Sequence, residues 1–474
     1  MNTFKRKSLY AALAGVGALG VTGAAQAVNI NPDGLGQALV YPYYTTQGTS
    51  AQYNSLLSVV NSTASGKVVK VRFLEGKGSK EVLDFNLWLS PHDVWTTAVI
   101  ASGAGAGIFT TDLSCTTPVV SSNPAAPTNF VNFAYVGDPE DQTLARTKEG
   151  YVEIIEMGEV TGATLAAITH VQPSPPGKPT CSGLASGATA PTDLVPGRGG
   201  LFGGISLVNV FAGVDVTYTA TALTSFTATT LWGAPASIQP DLSQVNPKTS
   251  VVFNNIEVVT TDWSGSSNAV DAVSAVFMHD NVYNEFVLDT VTASQTSWVI
   301  TMPTKHFYYT NNNVTKLFQR NFRAGGACDD VLDIQYNREE QTLISSTSFS
   351  PPPPVLVDAL CWEANVLNIG GTGVLLSANA FNPTTPFANG WWNVNFLPGS
   401  VTGTTHQLVG GPTIRTSTAT GLSSTQTSAT YFGLPVVGFA AQYFNNGTLT
   451  VPGGTGVQAF YAGSFAHRYT RIIQ

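Results

Sequence analysis

The sequence predicts an all-β fold, and three observations carry that expectation. Short runs of alternating apolar and polar residues, among them "SLLSVVNST", "KVVKVRFLE", "EVLDFNLWL" and "DVWTTAVI", follow one another with turn residues such as Gly66 and "EGKGS" between them. No long segment repeats its apolar residues at the 3.6-residue period of a helix; only "GATLAAIT" (162–169) suits one short helix. The composition is rich in β-branched residues and in Gly (46 residues) but only 11% charged. Hydroxyls and amides in place of charges make the surface typical of exported β-proteins.

Residues 1–27 stand apart from the fold. Lys5, Arg6 and Lys7 open a short basic start, an apolar run follows, and Ala25, Gln26 and Ala27 form the small-x-small pattern of a leader-peptidase site. They are expected to be a signal peptide. No Cys stands directly after it, and no later stretch reaches the roughly 18 consecutive apolar residues of a spanning helix. The mature chain is therefore expected to be exported, to the periplasm, the cell surface or the medium, without membrane insertion. Its 447 residues carry 18 Lys and Arg against 29 Asp and Glu. That balance argues against nucleic acid as a partner, since a basic patch is needed to hold phosphates.

From residue 28 the strand signals divide into an expected domain 28–240 and a second, 241–474. Later runs are "GYVEIIEMGEV", "ISLVNVFAGVDVTYTATAL", "SVVFNNIEVV", "AVSAVFM" and "SWVITMP". The Pro/Gly/Ser-rich stretch 171–200 reads as a long insertion, the four prolines within 348–357 as a stiff spacer, and 400–430 as polar and weakly patterned. Residues 276–298 imitate 73–95: Phe277 matches Phe73, Glu285 matches Glu81, Val287-Leu288-Asp289 match Val82-Leu83-Asp84, and Trp298 matches Trp95. This reads as a weak internal duplication. With an Asn-ended strand "SVVN" and a Pro-led corner in "LSPHD", the arrangement points to two immunoglobulin-like β-sandwich domains with long loop insertions. Cys115, Cys181, Cys328 and Cys361 fit two disulfides in an oxidising compartment. Three pairings are open, and the sequential one is expected. No two Cys lie closer than 33 residues, far from zinc-site spacing.

Candidate chemistry is sparse. The most charged stretch, "VRFLEGKGSKEVLDFNLWLSPHDVW" (71–95), ends in His92-Asp93, two members of a triad in principle. No G-x-S-x-G elbow accompanies them, and no catalytic residue is assigned. Glu153, Glu156 and Glu159 in "YVEIIEMGEV" are expected to form an exposed acidic strand, Glu153 and Glu159 on one face and Glu156 on the other. Two carboxylates about 5 to 9 Å apart would also be the equipment of a glycosidase. The six His form no metal motif. Two acidic turns, with Asp138, Glu140 and Asp141 in one and Asp329, Asp330 and Asp333 in the other, are weak calcium candidates. Trp391 and Trp392 in "FANGWWNVNF" and Tyr41, Tyr43 and Tyr44 in "VYPYYTT" are candidates for stacking on a glycan.

The phrases "LVYPYYTT", "KVVKVRFLEGKGSKEVLDFNLWLSPHDVW", "EGYVEIIEMGE", "SWVITMPTKHFYY" and "GLPVVGFAAQYFNN" together resemble a family of uncharacterised exported β-rich proteins of Gram-negative bacteria. The resemblance runs through most of the mature chain. It implies export and a β-rich fold and carries no activity and no site residues. The expected function is that of an exported, non-catalytic cell-surface or extracellular structural or adhesive protein, associating with itself or with other surface components. The alternatives are a carbohydrate-binding protein that takes polysaccharide on its aromatic clusters, and a secreted glycan hydrolase relying on Glu153, Glu156 and His92. No cofactor is expected other than calcium.

Overall fold

The structure is a computed structural model that describes residues 26–48, 52–171, 177–309, 316–318, 320–342, 357–371, 373–397, 406–449 and 456–474. Residues 1–25 of the expected signal peptide, the four prolines 351–354 and the first part of 400–430 lie outside the described residues. What is described is all-β in character, with seven sheets and a few short helices.

The largest sheet has eight strands. In spatial order it runs Asn29–Ile30, Thr221–Thr224, Ala38–Thr45, Glu149–Val160, Gly66–Glu75, Glu81–Leu89 and Cys115–Thr117, with Leu194–Val195 added to Glu149–Val160. A six-stranded sheet built on Leu201–Asn209, Asn54–Asn61 and Val94–Ser102 shares a core with it, Val71, Phe73 and Ile154 meeting Leu57, Trp95 and Leu207. The two sheets bury their strands differently. Asn54–Asn61 alternates between buried and partly wet positions, as a strand with one open face must. Gly66–Glu75 and Glu149–Val160 are buried at every position, because both faces of the larger sheet are covered.

After residue 248 two five-stranded sheets face each other. One is Val357–Leu360, Asp329–Asn337, Asn389–Asn395, Asn281–Val287 and Arg468–Thr470 in spatial order. The other is Ala380–Phe381, Ala364–Ile369, Gln295–Thr301, Val437–Leu449 and Val457–Ala466. Phe286, Trp392 and Val394 of the first meet Trp298, Leu367 and Ala440 of the second. The apolar cores cross the middle of the chain. One joins Val40, Ile155 and Leu223 to Trp298 and Trp392; the other joins Tyr41 and Val71 to Val299, Val366 and Phe439. Polar bonds cross as well: Tyr53 Oη donates to Val374 O and Thr301 Oγ1 to Pro42 O, each at 2.6 Å.

Two expectations change here. "AVSAVFM" is not one strand: Ala272 to Phe277 lie in the helix Asp271–Phe277, buried at all seven positions, and only Met278 enters the short strand Met278–His279. A short run that is apolar all round fits a buried helix as well as a buried strand, and its period cannot choose between them. Phe277 therefore sits on a helix where Phe73 sits on a strand, and Glu285 is exposed where Glu81 is paired with Arg72. The internal duplication does not survive this; only Trp95 and Trp298 keep comparable places, both fully buried on strands that follow a turn.

The helix Gly162–Ile168 forms as expected. Cys115 bonds to Cys181 and Cys328 to Cys361. Closing loops of 66 and 33 residues, they each restrict the unfolded chain by about 4 kcal/mol of loop-closure entropy. The first ties the 171–200 insertion to a small core of Trp88, Met157 and Ile168. Two disulfides suit an oxidising, exported environment, and among the described residues no helix is long and apolar enough to cross a membrane.

Candidate functional site

Strand Gly66–Glu75 presents Lys67, Lys70 and Arg72 to its antiparallel neighbour Glu149–Val160, which presents Glu153, Glu156 and Glu159. Covered on both faces, these charges cannot reach water and pair with one another. Arg72 bonds Glu153 through Nη1 and Glu81 through Nε, both at 2.7 Å. Lys70 holds Asp84 and the Ala234 carbonyl. Lys67 Nζ reaches Glu156 at 2.6 Å and Glu159 at 3.1 Å.

The exposed acidic face is thereby corrected: Glu153, Glu156 and Glu159 are at most 5% exposed. Their grouping is corrected too. A register shift between Glu156 and Gly158 turns the strand, so Glu156 and Glu159 converge on one ammonium while Glu153 goes to Arg72. The end of the 171–200 insertion closes over Glu156: Gly199 N–H donates to Oε2 at 2.8 Å, and a Cβ on Gly197 would lie 2.3 Å from the carboxyl carbon. Burial pushes the Glu153 and Glu156 carboxyls up, against the opposing pull of Arg72 and Lys67. A glycosidase needs carboxylates that a substrate can reach, and these are sealed.

The rest of the charged stretch is local structure. Glu75 accepts the N–H groups of Lys77, Gly78 and Lys80 and both forks of Arg146, which closes the turn before Glu81–Leu89. His92 is exposed with φ +56°. Asp93 turns inward to Ser90 N–H (2.9 Å) and to the hydroxyls of Ser90 and Ser114. His170, which no motif singles out, brings Nδ1 to 3.1 Å from Ser90 Oγ and 3.9 Å from Asp93 Oδ2. A triad uses opposite nitrogens of the imidazole for acid and nucleophile. Here one nitrogen faces both, so the cluster is a polar clasp.

Most of the calcium candidates are held by the chain's own donors. Asp138 bonds Arg146, Glu140 bonds Lys77, Asp329 bonds Lys305 and Asp330 bonds Arg320. Asp141 accepts from Thr143 N–H and its hydroxyl. Asp333 faces Asp358, and burial first, then that second carboxyl, pushes it well above the usual range. Among the described residues no three His, Cys, Asp or Glu stand together as a metal would require.

The tyrosine cluster is a further correction. Tyr41, Tyr43 and Tyr44 are 0% exposed, with hydroxyls donating to Ser58 O, Glu149 Oε2 and Thr147 O. Strand Ala38–Thr45 is buried at all eight positions, so neither parity of side chain can meet a glycan. Trp392 is also buried, edge-on to Phe286 and Trp298.

Trp391 remains. Successive strand residues point to opposite faces, and Trp391 takes the open one, 40% exposed. Its ring stacks on Tyr336 at 4.3 Å with planes 12° apart, and Tyr283 lies 6.3 Å away. Tyr336 and Glu285 stand opposite Trp391 on the two flanking strands, and Asn393 lies between Ile334 and Tyr283. The result is an aromatic stripe on an open sheet face, with a carboxylate and an amide beside it. Such a surface receives the apolar side of a ring and hydrogen-bonds at its rim. The adjacent pair in "WW" says only that the two rings take opposite faces of the sheet; no local signal says that either face is open or names Tyr336 or Tyr283 as companions.

No protein family, no curated protein and no solved structure matches this chain.

Proposed function

We propose that this is an exported, non-catalytic cell-surface or extracellular adhesive protein that holds polysaccharide on the open face of its five-stranded sheet. The observation that carries the reading is Trp391, exposed and stacked on Tyr336 beside Glu285 and Asn393. Two immunoglobulin-like sandwiches, a cleaved leader and kinship with exported β-rich proteins of Gram-negative bacteria belong to the same proposal. Calcium has no part in it. A glycan panel tests it directly. The wild-type protein is expected to bind, and Trp391→Ala to bind about tenfold more weakly, the value of one stacked ring. Failure of the wild type to bind any glycan, or unchanged binding by Trp391→Ala, sinks the reading.

A second reading, association with further copies of itself, is favoured by Ser423–Gln426. This strand ends the four-stranded sheet, is exposed at all four positions and carries no charge. Such an edge offers unpaired N–H and C=O groups to another chain. Ordered filaments or sheets in negative-stain microscopy would support it; dispersed monomers would remove it.

A further inference from the structure

Away from the aromatic face, two adjoining cavities border a buried imidazole nitrogen without a hydrogen-bond partner and a guanidinium without an ion-pair partner among the described residues. One, of about 180 Å³, is lined by Ile30, Val282, Ile300, Val436, His279 and His467. The other, of about 210 Å³, is lined by Phe253, Val276 and Arg471 among others. Ile30 and Tyr469 belong to both walls, so the half-exposed Tyr469 stands between the two spaces.

His279 is 5% exposed, its ring lies 4.0 Å from that of Tyr469, and its Nδ1 has no hydrogen-bond partner among the described residues. Burial first, then the nearby Arg471 and His467, holds it well below the ordinary imidazole range, so the ring is neutral. A buried nitrogen left unbonded is destabilising and calls for an occupant. His467 is satisfied by contrast, donating from Nε2 to Val299 O at 3.0 Å and accepting from Asn284 at Nδ1.

Arg471 donates to three main-chain carbonyls, Val276 O at 2.8 Å, Met278 O at 3.1 Å and Phe253 O at 3.3 Å, and lies 4.9 Å over the Tyr469 ring. Among the described residues no carboxylate forms an ion pair with it. Carbonyl dipoles do not neutralise a guanidinium, and two of its five N–H groups remain after these bonds. A cation in this position favours an anion beside it. The remaining walls are mainly aliphatic. A cavity of about 150 Å³ already admits a benzene molecule, so there is room for a short hydrocarbon chain and none for an oligosaccharide.

We propose that these cavities bind a medium-chain fatty acid, its tail against Ile30, Ile300 and Val436 and its carboxylate on Arg471. The site is independent of the glycan face. Octanoate and octan-1-ol, added to the full protein and followed by saturation-transfer NMR, test it. Octanoate is expected to bind about tenfold more tightly than the alcohol, the effect of one charged hydrogen-bonded contact. Equal affinities, or no octanoate binding, would overturn the proposal. A diazirine-bearing octanoate should label wild-type peptides containing His279 or Tyr469, and labelling confined to other peptides would also overturn it. Val436→Trp should block the site, and a folded Val436→Trp that still binds octanoate would count against it. Trp391→Ala should leave octanoate binding unchanged, and a loss there would move the site elsewhere.

Discussion

Strands Gly66–Glu75 and Asn389–Asn395 both interleave polar and apolar side chains, yet they meet opposite fates. The first places Lys67, Lys70 and Arg72 inside the molecule, each against a carboxylate. The second leaves Trp391 exposed and Asn393 partly exposed. The difference lies in what comes next to each sheet. The segment 233–236 lies over the first, its Gly233 and Ala234 carbonyls bonded to Asn86 and Lys70 and its Ala236 N–H to Asp84. The glycine-rich end of 171–200 seals Glu156. No such segment crosses Trp391 among the described residues. Alternation shows that a strand has a polar side; whether that side is wet depends on a layer supplied from far along the chain.

The comparison can be broken most severely at Arg72. Arg72→Ala leaves Glu153 charged and buried without its partner and is expected to cost about 3–5 kcal/mol in chemical denaturation. The double change Arg72→Met with Glu153→Leu should recover part of that loss, because the sealed Glu153 charge goes with its partner while Glu81, at the edge of the pair, is left without Arg72. A loss below about 1 kcal/mol for Arg72→Ala would mean that this strand pair is open to water.

An intermediate effect belongs to His467, which sits between the two extremes as a partly buried, neutral group. Burial lowers its pKa from 6.5 to about 4. The folded state therefore resists protonation, and the stability tied to the neutral ring is complete above pH 6.5 and lost as pH falls toward 4. At pH 5 the loss is about 2 kcal/mol. His467→Gln should lose correspondingly less stability between pH 7.5 and 5 than the wild type, measured by denaturation at each pH. An identical pH dependence in the two proteins would rule out an imidazole held neutral by its surroundings. The smallest effect is expected on the open face, where Trp391→Ala should change stability by no more than about 0.5 kcal/mol. A loss near that of Arg72→Ala would show that the face is covered after all.

Some features were legible from short windows of residues. The short helix needed only "GATLAAIT", and the breaks needed only their Pro and Gly. The sequential disulfide pairing was an expectation among three and could not be reached by elimination. Elsewhere the local signal pointed the wrong way. "YVEIIEMGEV" has the acidic spacing of a solvated strand, and its cations lie 81, 89 and 92 residues away in sequence. "VYPYYTT" has the exposed-looking aromatics of a binding site, yet it runs through the middle of a sheet covered twice.

By itself the sequence determined the all-β character, the punctuation of the chain, the cysteine chemistry suited to an oxidising compartment and the paucity of catalytic motifs. These follow from side-chain period, turn residues and composition, which act over a few neighbours. Only the tertiary structure decided which polar strand is buried, which tryptophan of the pair is open, and that His279 and Arg471, nearly 200 residues apart, border one pair of cavities. Those outcomes depend on which layers pack together, and burial is a property of the assembled layers that no single strand possesses.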